Sequence, residues 1–270
     1  MSDLQDFAPR PTVGIREIPA ALFSPRKLFS RVEDVAQYRG SLVVLLTLVG
    51  LIGYAVVQTG LIDREVDGRV SARIALLEAQ KRDVVERSAL RELYAQERKK
   101  GQFERVVERV RVVAAEPINS FVSILTIAAV LFGAVALTGR KPEWNTLLTI
   151  CVYAGFVEAL RLLLRLVLML NNGSLSVETS LAPLAALLVP YTPGASGPTL
   201  VAGASGLLSA VDPFHLWYWF VIAVGLRATS QLAGRRAWIV CTLCWLSGAA
   251  GRAAIAAGVA AAQAQQAASG

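Results

Sequence analysis

Residues 41–62 read SLVVLLTLVGLIGYAVVQTGLI and residues 117–139 read PINSFVSILTIAAVLFGAVALTG. Neither run contains an Asp, Glu, Lys or Arg. At 1.5 Å per residue each can cross a hydrocarbon layer of roughly 30 Å as a helix. A helix of that length on a soluble protein would carry charges on its solvent face, so both runs are read as membrane spans. The composition agrees. Hydrophobic residues are 54%, charged residues only 17%, and the mean hydropathy is +0.51, too apolar for an ordinary soluble domain.

The remaining chain falls into place around those two runs. Residues 1–20 are polar and irregular, and an N-terminal tail is expected there. Ser24 and Pro25 open a short helix that carries Leu28, Phe29 and Val32 on one face and Arg26, Lys27 and Arg31 on the other. It reads either as an amphipathic helix on the membrane surface or as one packed against a bundle. The first span is about 41–62. Residues 63–116 are dense in charge, yet Val66, Val70, Ile74 and Leu77 repeat at helical spacing, and so do Phe103, Val106, Val110 and Val113. One apolar stripe on each of two helices, with the break placed near Gly101, predicts a charged antiparallel hairpin outside the membrane.

Further spans are expected at about 118–138, 145–170, 213–232 and 237–260. Residues 171–211 hold two helix fragments but no Lys or Arg, and PYTPGASGPTLVAGASG (190–206) reads as loop from its Pro, Gly and Ser content. The alanine-rich tail 261–270 reads as weakly structured. The expected fold class is therefore all-α, a polytopic membrane protein of five transmembrane helices with an extramembrane helical hairpin. Its organisation is 1–40 cytoplasmic tail with interfacial helix, 41–62 first span, 63–116 hairpin, and 117–270 spans two to five with the external loop 171–211.

The net charge of +7 excludes less than it suggests. The basic residues flank apolar runs and form no groove-reading stripe, so nucleic acid is not the expected partner. Arg and Lys in the N-terminal segment, in GRKPEW (139–144) and in the 233–236 turn orient five crossings with the N-terminus inside and the hairpin and C-terminus outside. The lipid bilayer is the first partner implied.

FSPRKLFSRVED (23–34), LLTICVYAGFVEAL (147–160) and SAVDPFHLWYWFVIAVGLRATSQLAGRRAWIV (209–240) carry a likeness to known proteins. Asp212, Phe214, Leu216, Trp217 and Gly225, followed by a basic turn and a last helix, resemble the final hairpin of the Yip family (Ypt/Rab-interacting-type membrane proteins). Glu158 stands where that family's pattern has a proline or small residue. The long charged hairpin points to the bacterial branch, hence to the inner membrane. The resemblance implies a non-enzymatic scaffold or accessory subunit serving a membrane-protein partner, for example an ABC-type transporter. It implies neither catalysis nor a cofactor. Eukaryotic members of the family bind small GTPases in vesicle trafficking.

Two short motifs invite a catalytic reading and do not sustain it. GASG occurs at 194–197 and 203–206, shortly before the only histidine, His215. An intramembrane serine protease needs such a serine at a buried helix start beside an imidazole, and a small-residue loop is the plainer reading. Cys241 and Cys244 form a CxxC within an apolar run, where apolar packing outweighs redox or zinc chemistry. Trp217 and Trp219 read as an interfacial belt. Ser247, Gly248, Ala250, Gly251, Ala254 and Gly258 read as a close-packing surface.

The charges within the apolar runs remain. Glu158, Arg161, Arg227 and Arg252 are the candidate functional residues, with a transporter or channel as the alternative function. Similar depths along their spans predict that Glu158 pairs with Arg252, with Arg161 at i+3 as the competing partner.

Overall fold

The computed structural model describes residues 13–81, 87–175, 177, 179–188 and 196–269. It is all-helical among them. After a short 3-10 turn at Ile15–Glu17 the helices are α1 Ile18–Phe23, α2 Pro25–Phe29, α3 Tyr38–Gln58, α4 Leu61–Lys81 and α5 Arg87–Val110. A π-helical turn, Arg111–Ala115, leads into α6 Glu116–Leu137. Then come α7 Trp144–Asn172, α8 Ala185–Leu188, α9 Ser196–Leu208, α10 Pro213–Ala228 and α11 Arg235–Ser269. The chain forms two compact units. One comprises 1–45, 122–161 and 178–270, the other 46–121 and 162–177.

Four helical stretches are long and apolar enough to cross a membrane: α3, the continuous helix Ser88–Leu137, α7 and α11. The expected 213–232 span is not one of them. α10 stops at Ala228, and its 16 residues reach only ~24 Å. It meets the requirement only together with Thr199–Leu208, from which it is bent by 48°. Pro213 and the Asp212 cap force that bend, because the cap accepts the Phe214 N–H at 2.8 Å and opens a new helix there.

Other boundaries also move. Leu61 and Ile62 belong to α4, since Gly60 takes φ +68° and stops α3. The loop expected over 190–206 is helical from Ser196 onward; its first copy of GASG lies partly outside the described residues. The glycines are tolerated because they admit α11. A Cβ on Gly206 would lie 2.7 Å from Ala253 Cα and 2.9 Å from the Arg252 carbonyl oxygen. The expected weak tail continues α11 to Ser269, as alanine's helix propensity favours. At the other end the tail expected over residues 1–20 is helical in part from Ile15, and residues 1–12 lie outside the described set.

In the first unit the core gathers on α7, whose most apolar window is 67% buried against 11% for that of α11. Tyr153 is fully buried at its centre. Its hydroxyl accepts from Ser41 Oγ at 2.9 Å and donates to the Gly14 carbonyl at 3.0 Å, so a buried polar tip is satisfied twice. Phe29 meets the ring edge-on at 6.5 Å. Leu28 and Phe29 have no exposure at all, so the apolar face of α2 packs against the first unit while Arg26 and Lys27 stay exposed. Gly225 makes this possible: a Cβ there would lie 2.7 Å from Ile150 and 3.3 Å from Phe29.

At one end of this unit the two basic turns are joined. Gln231 Nε2 donates to Glu143 Oε2 at 2.8 Å, the Glu143 N–H donates to Gln231 Oε1 at 3.2 Å, and Arg140 donates to the Ser230 carbonyl.

In the second unit Val56, Leu61, Ile62, Val66, Val70 and Met169 form the core. α3 approaches the π-helical turn so closely that any Cβ on Gly53 would collide with the Val112 carbonyl.

Gly225→Val should therefore destabilise the purified protein by about 2 kcal/mol through overpacking. Gly248→Val, whose added atoms meet nothing within 4 Å, should leave the unfolding midpoint in mild detergent almost unchanged. Equal losses would contradict this packing.

Candidate functional site

The candidate residues divide between two places. In the first unit, α7, α10 and α11 bring five charged or titratable side chains together. Glu158 and Arg161, one turn apart on α7, form a hydrogen-bonded ion pair. Arg161 also reaches Asp212 Oδ2 at 3.6 Å. Asp212, 2% exposed, does three things at once: it caps α10, faces Arg161 and accepts from Thr179 Oγ1 at 2.5 Å. Arg252 of α11 instead lies with Nη2 3.3 Å from His215 Nε2, the same nitrogen to which Trp219 Nε1 points at 3.3 Å.

The expected Glu158–Arg252 pair is thus replaced by Glu158–Arg161. The i+3 neighbour is within reach by helix geometry alone, whereas Arg252 is taken up by the imidazole. Asp212 is the residue that sequence reasoning missed as an ion-pair partner; it stood there only as a family-like position. An acid directly before a Pro that opens an apolar run is the signal of a cap, but nothing local indicates that α7 brings an arginine to it.

Arg227 lies exposed in the last turn of α10, away from this cluster. Phe214 and Trp217 contact one another at 6.4 Å, Trp217 meets Phe23 at 6.5 Å, and Leu216 is 46% exposed. The second GASG is interior to α9, so Ser205 is not at a helix start, and the partners of His215 are Arg252 and Trp219. Cys151 and Cys241 are buried free thiols, with Cys244 partly exposed. In α11 the residues facing α9 are Ala253 and Ala257, while Gly248, Gly251 and Gly258 face open space. The small-residue stripe is therefore mostly outside the packing of this chain.

The second place is the helical pair α4–α5. Val66 and Val70 are buried as expected. The break, however, falls between Lys81 and Arg87 rather than near Gly101. Gly101 sits inside α5, where the missing Cβ makes room for Val70.

The second stripe faces the wrong way for a conventional hairpin seam. Phe103, Val106, Val107 and Val110 are 71%, 58%, 45% and 59% exposed. α5 turns a charged face to α4 instead. Arg73 meets Glu104 at 2.8 Å, Arg105 meets Asp67 at 2.5 Å, and Arg109 meets Asp63 at 2.6 Å. Hydrogen bonding to Arg73, more than the opposing desolvation, holds the Glu104 carboxyl below its ordinary 4.5, and the same bond raises Arg73.

No family model matches the chain, and no curated protein or solved structure matches it either. Among the described residues no three His, Cys, Asp or Glu side chains come together as a metal site would require.

Two outcomes test these readings. Asp212→Ala removes a cap and the second carboxylate partner of Arg161, and should cost about 2 kcal/mol, with Asp212→Asn, which keeps the cap, costing less. Unfolding in detergent measures both. For the hairpin, a depressed carboxyl pKa stabilises above its unfolded value and is lost as pH falls through the folded one. α4–α5 contact, read by spin-label distances, should therefore loosen below about pH 4.5, and Glu104→Gln should flatten that dependence.

Proposed function

We propose that the chain is a five-span membrane protein acting as a non-enzymatic scaffold or accessory subunit for a membrane-protein partner. The observation that supports it best is the exposed apolar face of α5. Phe103, Val106, Val107 and Val110 form a contiguous stripe on a helix whose opposite face is sealed to α4 by ion pairs. Large exposed apolar side chains rimmed by charge mark interaction surfaces more often than solvent-facing ones. The same helix continues without interruption through the π-helical turn into α6, so the stripe is tied directly to an apolar span.

In this reading the fifth crossing is the bent α9–α10 pair. The N-terminal segment and the two basic turns lie at one end of the first unit, which suits a common cytoplasmic side by the Arg/Lys bias. The hairpin and C-terminus are then outside the inner membrane of a bacterium. The Yip resemblance is carried as part of this proposal and rests on the sequence segments that suggested it. A partner such as an ABC-type transporter would supply any ATP hydrolysis. The alternative, a small-solute transporter or channel, would use the Glu158, Arg161, Asp212, His215 and Arg252 group. That group counts against itself, because its carboxylates are already satisfied by Arg161, Thr179 and a helix cap.

Replacing Phe103, Val106 and Val110 together by Ser should leave membrane insertion intact and abolish capture of the native partner from gently solubilised membranes. Capture that survives the triple change would reject the α5 face as the binding surface. Solute flux into vesicles holding the purified protein alone would favour the transporter reading.

A further inference from the structure

A groove in the first unit is lined by charges of one sign only. It encloses about 950 Å³, and Arg26, Lys27, Arg140 and Arg227 line it with no Asp or Glu among the lining residues. The four come from three separate segments: α2, the turn between α6 and α7, and the last turn of α10. None of them is in an ion pair with a described carboxylate, whereas Arg31, Arg73, Arg109 and Arg161 are. Glu143, the acid nearest in the turn, is committed to Thr146 and Gln231.

The groove is held in shape. Arg140 donates to the Ser230 carbonyl, and the Gln231–Glu143 pair ties the same two turns together. Cations gathered in a fixed concavity repel one another, and an anion relieves that repulsion while gaining from the focused field.

We propose that this groove binds the headgroup of an anionic phospholipid, best one that carries two phosphates. Two further observations select a lipid over a free anion. Phe220 and Val224 line the same groove, and an apolar floor adjoining four cations suits a headgroup followed by an acyl chain, whereas it adds nothing for inorganic phosphate. The lining residues also sit where α10 ends and α7 and α11 begin, which is headgroup depth if those helices cross the bilayer. Basic pockets between span ends recognise such headgroups in this way. The inference rests on the membrane reading but not on any partner protein.

The test uses the full chain, purified in mild detergent and titrated with phosphatidylcholine, phosphatidylglycerol and a diphosphatidylglycerol lipid, with bound lipid read by native mass spectrometry. Pyrophosphate and a single-stranded oligonucleotide are parallel ligands. The wild type should retain the diphosphatidyl lipid at least about tenfold better than phosphatidylcholine. Arg26→Gln, Lys27→Gln and Arg227→Gln together should remove that preference. Lys141→Gln, Arg235→Gln and Arg236→Gln, which change the charge equally outside the groove, should keep it.

Equal loss in both triple variants would reduce the site to diffuse surface charge and overturn the proposal. So would pyrophosphate or oligonucleotide binding without lipid preference, or no preference in the wild type. Should the first triple variant unfold, as its thermal midpoint would reveal, the single change Arg227→Gln must still weaken retention several-fold, and failure to do so overturns the site. A chain that does not partition into membranes at all would instead refute the membrane reading, which is a separate outcome.

Discussion

The first unit depends on one close approach. α7 is buried because α10 can lie against it, and α10 can do so because Gly225 has no side chain between Ile150 and Phe29. In a hydrocarbon environment apolar side chains gain little from meeting one another, so helix association relies on such packing and on satisfied polar groups. Both operate around Tyr153. Its ring fills the space beside Phe29 and its hydroxyl ties the α3 start and the Gly14 carbonyl to α7. Gly155, two residues on, admits Leu45 of α3 in the same way. Without these contacts α2 would lose the surface that buries Leu28 and Phe29, and the groove it walls would lose one side.

The apolar helices were legible because long apolar runs have few alternatives, and α3, α6, α7 and α11 lie close to where those runs stand. It was less informative wherever helical character depended on a distant partner. Residues 196–208 look like loop by composition, since nothing local says that Gly203 and Gly206 will face α11. The α5 stripe misled for the opposite reason. Its 3–4 spacing is a true helical pattern, but periodicity shows that a face exists and not what covers it. The ion pairs of Arg73, Arg105 and Arg109 decide which face meets α4. The ends of α7 were readable, yet the partner of Glu158 was not, because depth along separate helices fixes height and says nothing about azimuth.

Asp212 shows how much one side chain can coordinate when it stands at a helix start. A capping carboxylate already prefers the positive end of the helix dipole. Placing Arg161 beside it makes the cap an electrostatic anchor between α10 and α7, and Arg161 in turn compensates Glu158. Of the charges singled out within the apolar runs, Glu158 and Arg161 are paired within α7, and Arg161 also joins α7 to the start of α10. Arg252 stands apart from this arrangement. It lies against an imidazole rather than a carboxylate, and its Nε finds no hydrogen-bond partner.

The excess of basic charge is nearly equal in the two units, but its local arrangement differs, and that difference is informative. In the second unit opposite charges face each other: the hairpin seam is an ion-pair ladder, and the cleft beside it, about 370 Å³, is lined by Glu65, Glu108 and Glu116 as well as Arg69, Arg111 and Arg165. Such a surface is neutral at short range and suits contact with another protein, where unpaired charge would have to be desolvated. The groove of the first unit contains only the positive half of that pattern. Screening limits the repulsion among exposed cations but does not remove it within a few ångströms. The four groove cations stand together without a carboxylate among the groove's lining residues, at the ends of apolar helices, where an anionic membrane surface would itself supply the missing countercharge.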